Sequence, residues 1–355
     1  MTADTARLHP LRSTQAVTVA ILGSGSWGTT FAKVLADAAE ERGEEVTVRL
    51  WARRQEVADD INLSHRNSQY LSDIVLPASI TATTDAVEAV RTADLVVLAV
   101  PAQQVRGVLS DLTENIGSET VIVSLVKGLE RDSQSSMWEL CQSELQLGPE
   151  RFVVVSGPNL AMEIAHEEPT ATVVACREES VADWVVALCN SKYFRPYRNT
   201  DVTGVEIGGV VKNIIALAVG LCDGQGLGDN SKASIITRGL TETTRLATAV
   251  GGNPDTLAGL AGLGDLVATC ASPLSRNRTA GRLYGQGLST QEVIDRMEQT
   301  AESVKSVSAV VALAHSAGVE MPISEAMNAV VNGQISISDI STLLLGRDLK
   351  PEARL

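Results

Sequence analysis

Hydrophobic positions change their rhythm once along this chain, near residue 205. Before that point come the runs 17–22, 46–51, 95–100, 120–125, 152–156 and 171–175, several of them continuous in Val, Leu and Ile. That is the pattern of parallel strands buried on both faces. Helical stretches lie between the runs, so the first half predicts a doubly wound α/β sheet. Beyond residue 205 no strong strand pattern returns. The segments 206–221, 231–250, 290–298, 302–317 and 322–332 read as helices, separated by Gly-rich breaks at 224–228, 259–264 and 285–287. The shift predicts an α/β domain over 16–204 and an all-helical domain over 205–345. A polar leader (1–15), expected to be disordered, precedes them and a tail (346–355) follows.

The first strand runs into Gly23-Ser24-Gly25-Ser26-Trp27-Gly28, and a helix-like stretch from Thr29 to Glu41 comes next. Strand, glycine turn and helix in that order form a dinucleotide-binding signature. Gly23 permits the tight turn, Gly25 lets backbone approach a pyrophosphate, and Gly28 lets the helix pack close to the strand. The helix N-terminus then faces the phosphates. The second strand ends in Trp51-Ala52-Arg53-Arg54. No acid stands there to bond a ribose 2′-hydroxyl. Two guanidinium groups suit a 2′-phosphate instead, so NADP(H) is expected to be preferred, with NAD(H) possible.

Charge narrows the partners. With 29 Lys and Arg against 43 Asp and Glu, net charge is −14, which argues against a nucleic-acid footprint. An anionic ligand must be drawn by a local basic pocket. Five cysteines (Cys141, Cys176, Cys189, Cys222, Cys270) with no CxxC fit reduced thiols in a cytoplasmic protein. The leader has no apolar h-region, and no uninterrupted apolar run reaches about 18 residues, so nothing membrane-embedded is expected. The four histidines form no ligand spacing, and no metal site is expected.

Lys212 and Asn213 interrupt a stretch, Ile207 to Cys222, that is otherwise apolar or Gly. Such a helix is apolar all round and therefore central. A lysine within it needs a partner or a role, and a lysine with a pKa lowered by burial can act as a general acid. Asp265, the lone charge in Leu257 to Val267, is a candidate partner; its structural alternative is an N-cap after Gly264. Ser275-Arg276-Asn277-Arg278 has the makings of a phosphate clamp or, alternatively, of an exposed turn. Lys127 and Gly157-Pro158-Asn159 each follow a predicted strand, at the edge that lines the ligand crevice of such sheets.

GSGSWG (23–28), SLVKGLE (124–130), SGPNLAMEIA (156–165), VVKNIIALAVG (210–220), AGLGDLVATC (261–270) and SRNR (275–278) occur in this order. As an ordered set, from about 17 to about 340, the chain resembles bacterial NAD(P)-dependent glycerol-3-phosphate dehydrogenase. The resemblance implies a Rossmann-type N-terminal domain, a helical C-terminal domain, and interconversion of dihydroxyacetone phosphate and sn-glycerol 3-phosphate, feeding glycerophospholipid synthesis. It implies that Lys212 is the catalytic acid/base and that Lys127 lies near both substrate and nicotinamide. Gly157, Asn159, Asp265, Ser275, Arg276 and Asn277 match substrate contacts, with Asn213 beside them. Ser26, Trp27, Arg53, Arg54, Ala161, Arg276 and Glu302 match cofactor contacts. Asn159 stands where Thr or Ser is usual, and Thr300-Ala301-Glu302-Ser303-Val304 departs from Val-x-Glu-Gly-Val. The expected partners are a small phosphate substrate and a second copy of the chain, as a homodimer. Two other readings compete. One is a 6-phosphogluconate-type or ketopantoate-type dehydrogenase, against which the Asp265 and Ser275-Arg276-Asn277 block argues. The other is a non-enzymatic NADP-sensing module, which needs no Lys212 or Asp265.

Overall fold

The computed structural model describes residues 16–297 and 301–336. The leader 1–15, residues 298–300, and 337 onward with the tail 346–355 lie outside the described residues. Eight strands form one sheet: β1 (Val17–Leu22), β2 (Val46–Trp51), β3 (Ile80–Thr83), β4 (Leu95–Leu98), β5 (Val121–Ser124), β6 (Phe152–Ser156), β7 (Thr170–Ala175) and β8 (Phe194–Asn199). Their order is β3-β2-β1-β4-β5-β6-β7-β8. β1 pairs in parallel with both β2 and β4, so the winding reverses there. In an open α/β sheet the crevice at that reversal takes the ligand.

Two edge elements escape the apolar-run pattern. β3 (ITAT) is four residues long, and β8 (FRPYRN) carries Pro196 and two arginines. Edge strands are covered on fewer sides and tolerate Pro and charge. β7 also corrects an expectation of uniform parallel pairing: it runs antiparallel to β6, and β8 follows it in parallel. The β6–β7 connection holds only a turn and a five-residue helix, so the chain doubles back beside β6.

Helices α1 (Ser26–Arg42), α2 (Gln55–Ser64), α3 (Ala86–Val90), α4 (Ala102–Leu112), α5 (Met137–Leu145), α6 (Ala161–Ala165) and α7 (Glu179–Cys189) cover the sheet on both faces. One core joins α1, α2, α6 and α7 to the sheet, and the other joins α3, α4 and α5 to it. All five cysteines are buried and free.

The helical unit is built round α8 (Val202–Gly224). Every residue from Val205 to Cys222 is buried, as an all-round apolar helix requires. α8 is long and apolar enough to cross a bilayer, yet that stretch is wholly enclosed by the fold. Around it pack α9 (Asp229–Ala249), α10 (Pro254–Ala258), α11 (Asp265–Ala271), α12 (Arg276–Gly285), α13 (Thr290–Arg296), α14 (Glu302–Ser316) and α15 (Pro322–Val331). A π-helical turn, Leu260–Gly264, leads into α11. Such turns recur where a side chain must be aimed, and the first residue after this one is Asp265.

Candidate active site

The glycine turn fits a dinucleotide. Gly23 has φ +124, and a Cβ there would lie 2.7 Å from the Ala99 backbone. A Cβ on Gly28 would lie 2.1 Å from the Gly23 carbonyl oxygen, so α1 can approach β1 only without one. Gly25 is different: a Cβ there would meet nothing within 4 Å. It is the N-cap of α1, and no side chain caps the amides of that first turn. Open space before uncapped amides suits a pyrophosphate. The 65–71 segment braces the turn, with Asn67 Nδ2 donating to Ser24 O at 2.9 Å and to Thr29 Oγ1 at 2.8 Å. Ser26 Oγ reaches Tyr70 O at 3.5 Å.

The other expected cofactor residues spread along this edge. Trp27 packs against Phe31 and Phe194, with its indole N–H buried and unbonded. Ala161 opens α6, and its carbonyl accepts the Thr30 hydroxyl at 3.2 Å. Arg53 and Arg54 are exposed just past β2, where Arg54 is the N-cap of α2. Glu302 opens α14 and its Oε1 accepts the Ala102 amide at 3.3 Å, which ties the helical unit to the loop after β4.

Lys127, beyond β5, and Gly157, beyond β6, meet α8 and α11 at the same edge. Asp265 is 1% exposed. Its Oδ1 accepts a hydrogen bond from Lys212 Nζ, and its Oδ2 accepts one from Lys127 Nζ at 2.7 Å. Lys212 Nζ also donates to Thr269 Oγ1 at 2.7 Å, and Lys127 Nζ to Gly157 O at 3.0 Å. Two ammonium groups therefore share one carboxylate. Burial brings Lys212 down to about 8; Lys127 presses the same way and Asp265 opposes. A lysine tuned to that range can trade a proton near neutral pH.

Asn213 anchors this cluster. Its Nδ2 donates to Lys127 O and to Gly209 O, each at 3.3 Å, and its Oδ1 accepts from Asn277 Nδ2 at 2.9 Å. Asn277 Oδ1 in turn accepts the Ser303 amide at 3.1 Å. Ser275 caps α12 by accepting the Arg278 amide at 3.2 Å. Arg276 follows in the first turn of α12 and is exposed. Surrounding protein lowers its pKa while Glu302 opposes. Asn159 Nδ2 donates to Thr172 Oγ1 at 3.0 Å and leaves its Oδ1 buried without a partner.

The N-cap alternative for Asp265 does not hold: it is the first residue of α11, and its oxygens go to the lysines and to Thr269. Arg278 is no free turn residue either, since it pairs with Asp223 of α8. Sequence reasoning missed Thr269 and the Asn67–Tyr70 brace. Thr269 carried a readable signal, as it stands four residues after Asp265 on the same helical face.

Comparison with known proteins gives one answer for both units. The model described as NAD-dependent glycerol-3-phosphate dehydrogenase N-terminus matches residues 18–182, and its C-terminus counterpart matches 201–342. A Streptomyces griseus protein named glycerol-3-phosphate dehydrogenase [NAD(P)+] is 53% identical over 341 residues, covering 96% of this chain and 100% of its own. A Thermobifida fusca protein of the same name is 53% identical over 334 residues, covering 94% and 98%. The crystal structure of glycerol-3-phosphate dehydrogenase from Coxiella burnetii superposes with a TM-score of 0.87 at 35% identity, covering 94% of this chain and 99% of that one.

Proposed function

The chain belongs to the NAD-dependent glycerol-3-phosphate dehydrogenase family, and from that footing we propose that Lys212 protonates the substrate's carbonyl oxygen. The reaction is the reversible reduction of dihydroxyacetone phosphate to sn-glycerol 3-phosphate with NAD(P)H. The observation that carries the assignment of Lys212 is its buried cluster with Asp265 and Lys127 at the sheet edge below the glycine turn.

A nicotinamide coenzyme supplies the hydride when bound at that edge. The residues that would hold its phosphates and ribose are Gly23, Gly25, Ser26, Trp27 and Gly28, with Arg53 and Arg54 on a 2′-phosphate and Ala161, Arg276 and Glu302 further along. As negative charge builds on the C2 oxygen, the Lys212 ammonium stabilises it and donates a proton. Lys127 adds positive field from the other side of Asp265. Asp265 holds Lys212 charged and aimed, with Thr269 as the third support. Arg276, Asn277 and Ser275 receive the phosphate, and binding energy spent there fixes the carbonyl for transfer. Gly157 and Asn159 close the substrate side. Lys127, Lys212 and Arg276 give the local positive field that a chain of net charge −14 must build to attract a dianion. We also propose that the enzyme works as a cytoplasmic homodimer, in keeping with its free, buried cysteines.

Replacing Lys212 with Ala tests the assignment. NADPH oxidation should fall by about three orders of magnitude or more, because proton donor and charge are lost together, while NADPH still quenches protein fluorescence with nearly the wild-type Kd. A folded K212A enzyme with full turnover would overturn it.

A further inference from the structure

Glu206 is 7% exposed in the second turn of α8, and no step of the reaction uses it. It precedes Lys212 by six residues, so the two side chains stand about 9 Å apart along the axis and about 120° apart around it. Lys212 faces Asp265 and Thr269. Glu206 faces the other unit, where its Oε1 accepts the Trp138 amide at 3.1 Å in the first turn of α5. The Ser136 hydroxyl and the Met137 amide bear on the same carboxylate. Ser136 and Glu139 close a capping box on each other, so a carboxylate from the helical unit completes the cap of a sheet-covering helix.

This location is costly. Burial pushes the Glu206 carboxyl up to about 7, the Glu139 charge presses the same way, and the Trp138 and Met137 amides with the Ser136 hydroxyl oppose. An apolar side chain of similar volume would avoid that desolvation but leave the Trp138 amide without its acceptor. What it could not supply is direction. Val202 and Val205 belong to the core shared with Met137, Trp138 and Cys141, whereas α8 from Ile207 onward belongs to the helical core. Glu206 sits where the rod passes from one core to the other. The segment from Lys127 to α5 is tied to this rod at both ends, by Asn213 on Lys127 O and by Glu206 on Trp138 N. Gln103 grips its middle through Leu129 O and the Arg131 amide.

We propose that Glu206 is a positioning residue for proton transfer: by fixing α8 against the N-terminus of α5, it sets the height and rotation at which Lys212 meets Lys127 and the substrate carbonyl. The proposal rests on Lys212 as the proton donor. Without Glu206 the polar anchors of α8 all lie at or beyond Lys212, so the rod can pivot about them, and a sub-ångström shift of a rigid helix displaces Lys212 by a comparable amount.

The test compares wild type with Glu206→Met, Glu206→Asp and Lys212→Ala as full-length enzymes. E206M keeps the volume and loses the acceptor. It strands the Trp138 amide, which offsets the relief of desolvation, so it should melt near or somewhat below the wild-type temperature. It should bind NADPH within about twofold, yet lose at least about tenfold in kcat with little change in KM, since small misplacements of reacting groups cost rate more than binding. E206D keeps the charge but draws it back from Trp138, and should show the same split at a smaller scale; it decides the matter if E206M does not fold. Wild-type kcat in either folded variant would overturn the proposal. So would a rise in KM and weaker NADPH binding alongside the fall in kcat, which mark a merely structural residue. An active K212A enzyme would sink the proton-donor reading instead, whereas inactive K212A beside unaffected E206M would sink only the role of Glu206.

Discussion

Replacing Asp265 with Asn should shift the pH range of the reduction far to the acid side. The carboxylate is 1% exposed, with Lys127 Nζ at 2.7 Å on one oxygen and Lys212 Nζ on the other. With charge centres about 3.5 Å apart and an effective dielectric of about 20, it favours each ammonium by about 4–5 kcal/mol. At about 1.4 kcal/mol per pH unit, its loss lowers the Lys212 midpoint by about 3. The starting value is about 8, so the variant should titrate near 5.

Reduction needs the ammonium form, so activity is present below the midpoint and lost as pH rises through it. At about pH 7.5 roughly three-quarters of the wild-type lysine is charged, against about one in three hundred in the variant, a loss of about two-hundredfold. If the site relaxes enough to halve the shift, about tenfold remains. Oxidation of glycerol 3-phosphate needs the neutral amine, so its profile should move to lower pH in parallel. The assay is kcat/KM for dihydroxyacetone phosphate, followed by NADPH absorbance from about pH 5 to 9.5, with wild type alongside. The substrate phosphate titrates in the same range but equally for both enzymes, so the ratio isolates the protein group. A folded D265N enzyme within about threefold of wild type and with an unmoved midpoint would refute the electrostatic coupling.

Arg276→Ala should raise KM for dihydroxyacetone phosphate by about 30- to 1000-fold, matching about 2–4 kcal/mol for a lost charge-assisted phosphate contact. Comparing dihydroxyacetone with its phosphate checks this: the variant should barely distinguish them, and a wild type that uses both equally would remove the clamp. Changing Arg53 and Arg54 together to Ser should raise KM for NADPH by about tenfold or more and leave that for NADH nearly unchanged, because only a 2′-phosphate gains charge-assisted bonds there. Equal effects on both cofactors, measured side by side, would mean the two arginines merely face solvent.

What the sequence made legible follows from how locally each feature is determined. A strand enclosed on both faces is apolar almost throughout, so β4, β5 and β6 stood out as continuous runs, while β1, β2 and β7 stood out as apolar-rich runs that admit one or two Thr or Arg. β3 and β8 border the sheet and mix Thr, Arg and Pro with their apolar residues, so they had no such signature. Strand direction is not encoded in a run at all, and the reversal at β7 depends on how the short link from Gly157 folds back. α11 and α12 were hidden for another reason. They are short, and the glycines before one and the arginines within the other resemble loop composition more than helix.

The site divides along the same line. Lys212 was legible because a charge inside an all-round apolar helix has nowhere to go, and Asp265 because it is the one charge in its own apolar run. Their pairing could be guessed from complementarity alone. Glu206 was equally anomalous on the same helix, yet it carried no visible counterpart in sequence. Its partners are a backbone amide and a hydroxyl at the start of α5, which composition does not mark. A buried cation is satisfied by few groups, and the sequence names them. A buried carboxylate can be satisfied by any free helix N-terminus, and only the fold says which one. The lysine proposed to react was therefore readable from the chain, while the carboxylate proposed to hold its helix in place emerged only once α5 and α8 were seen together.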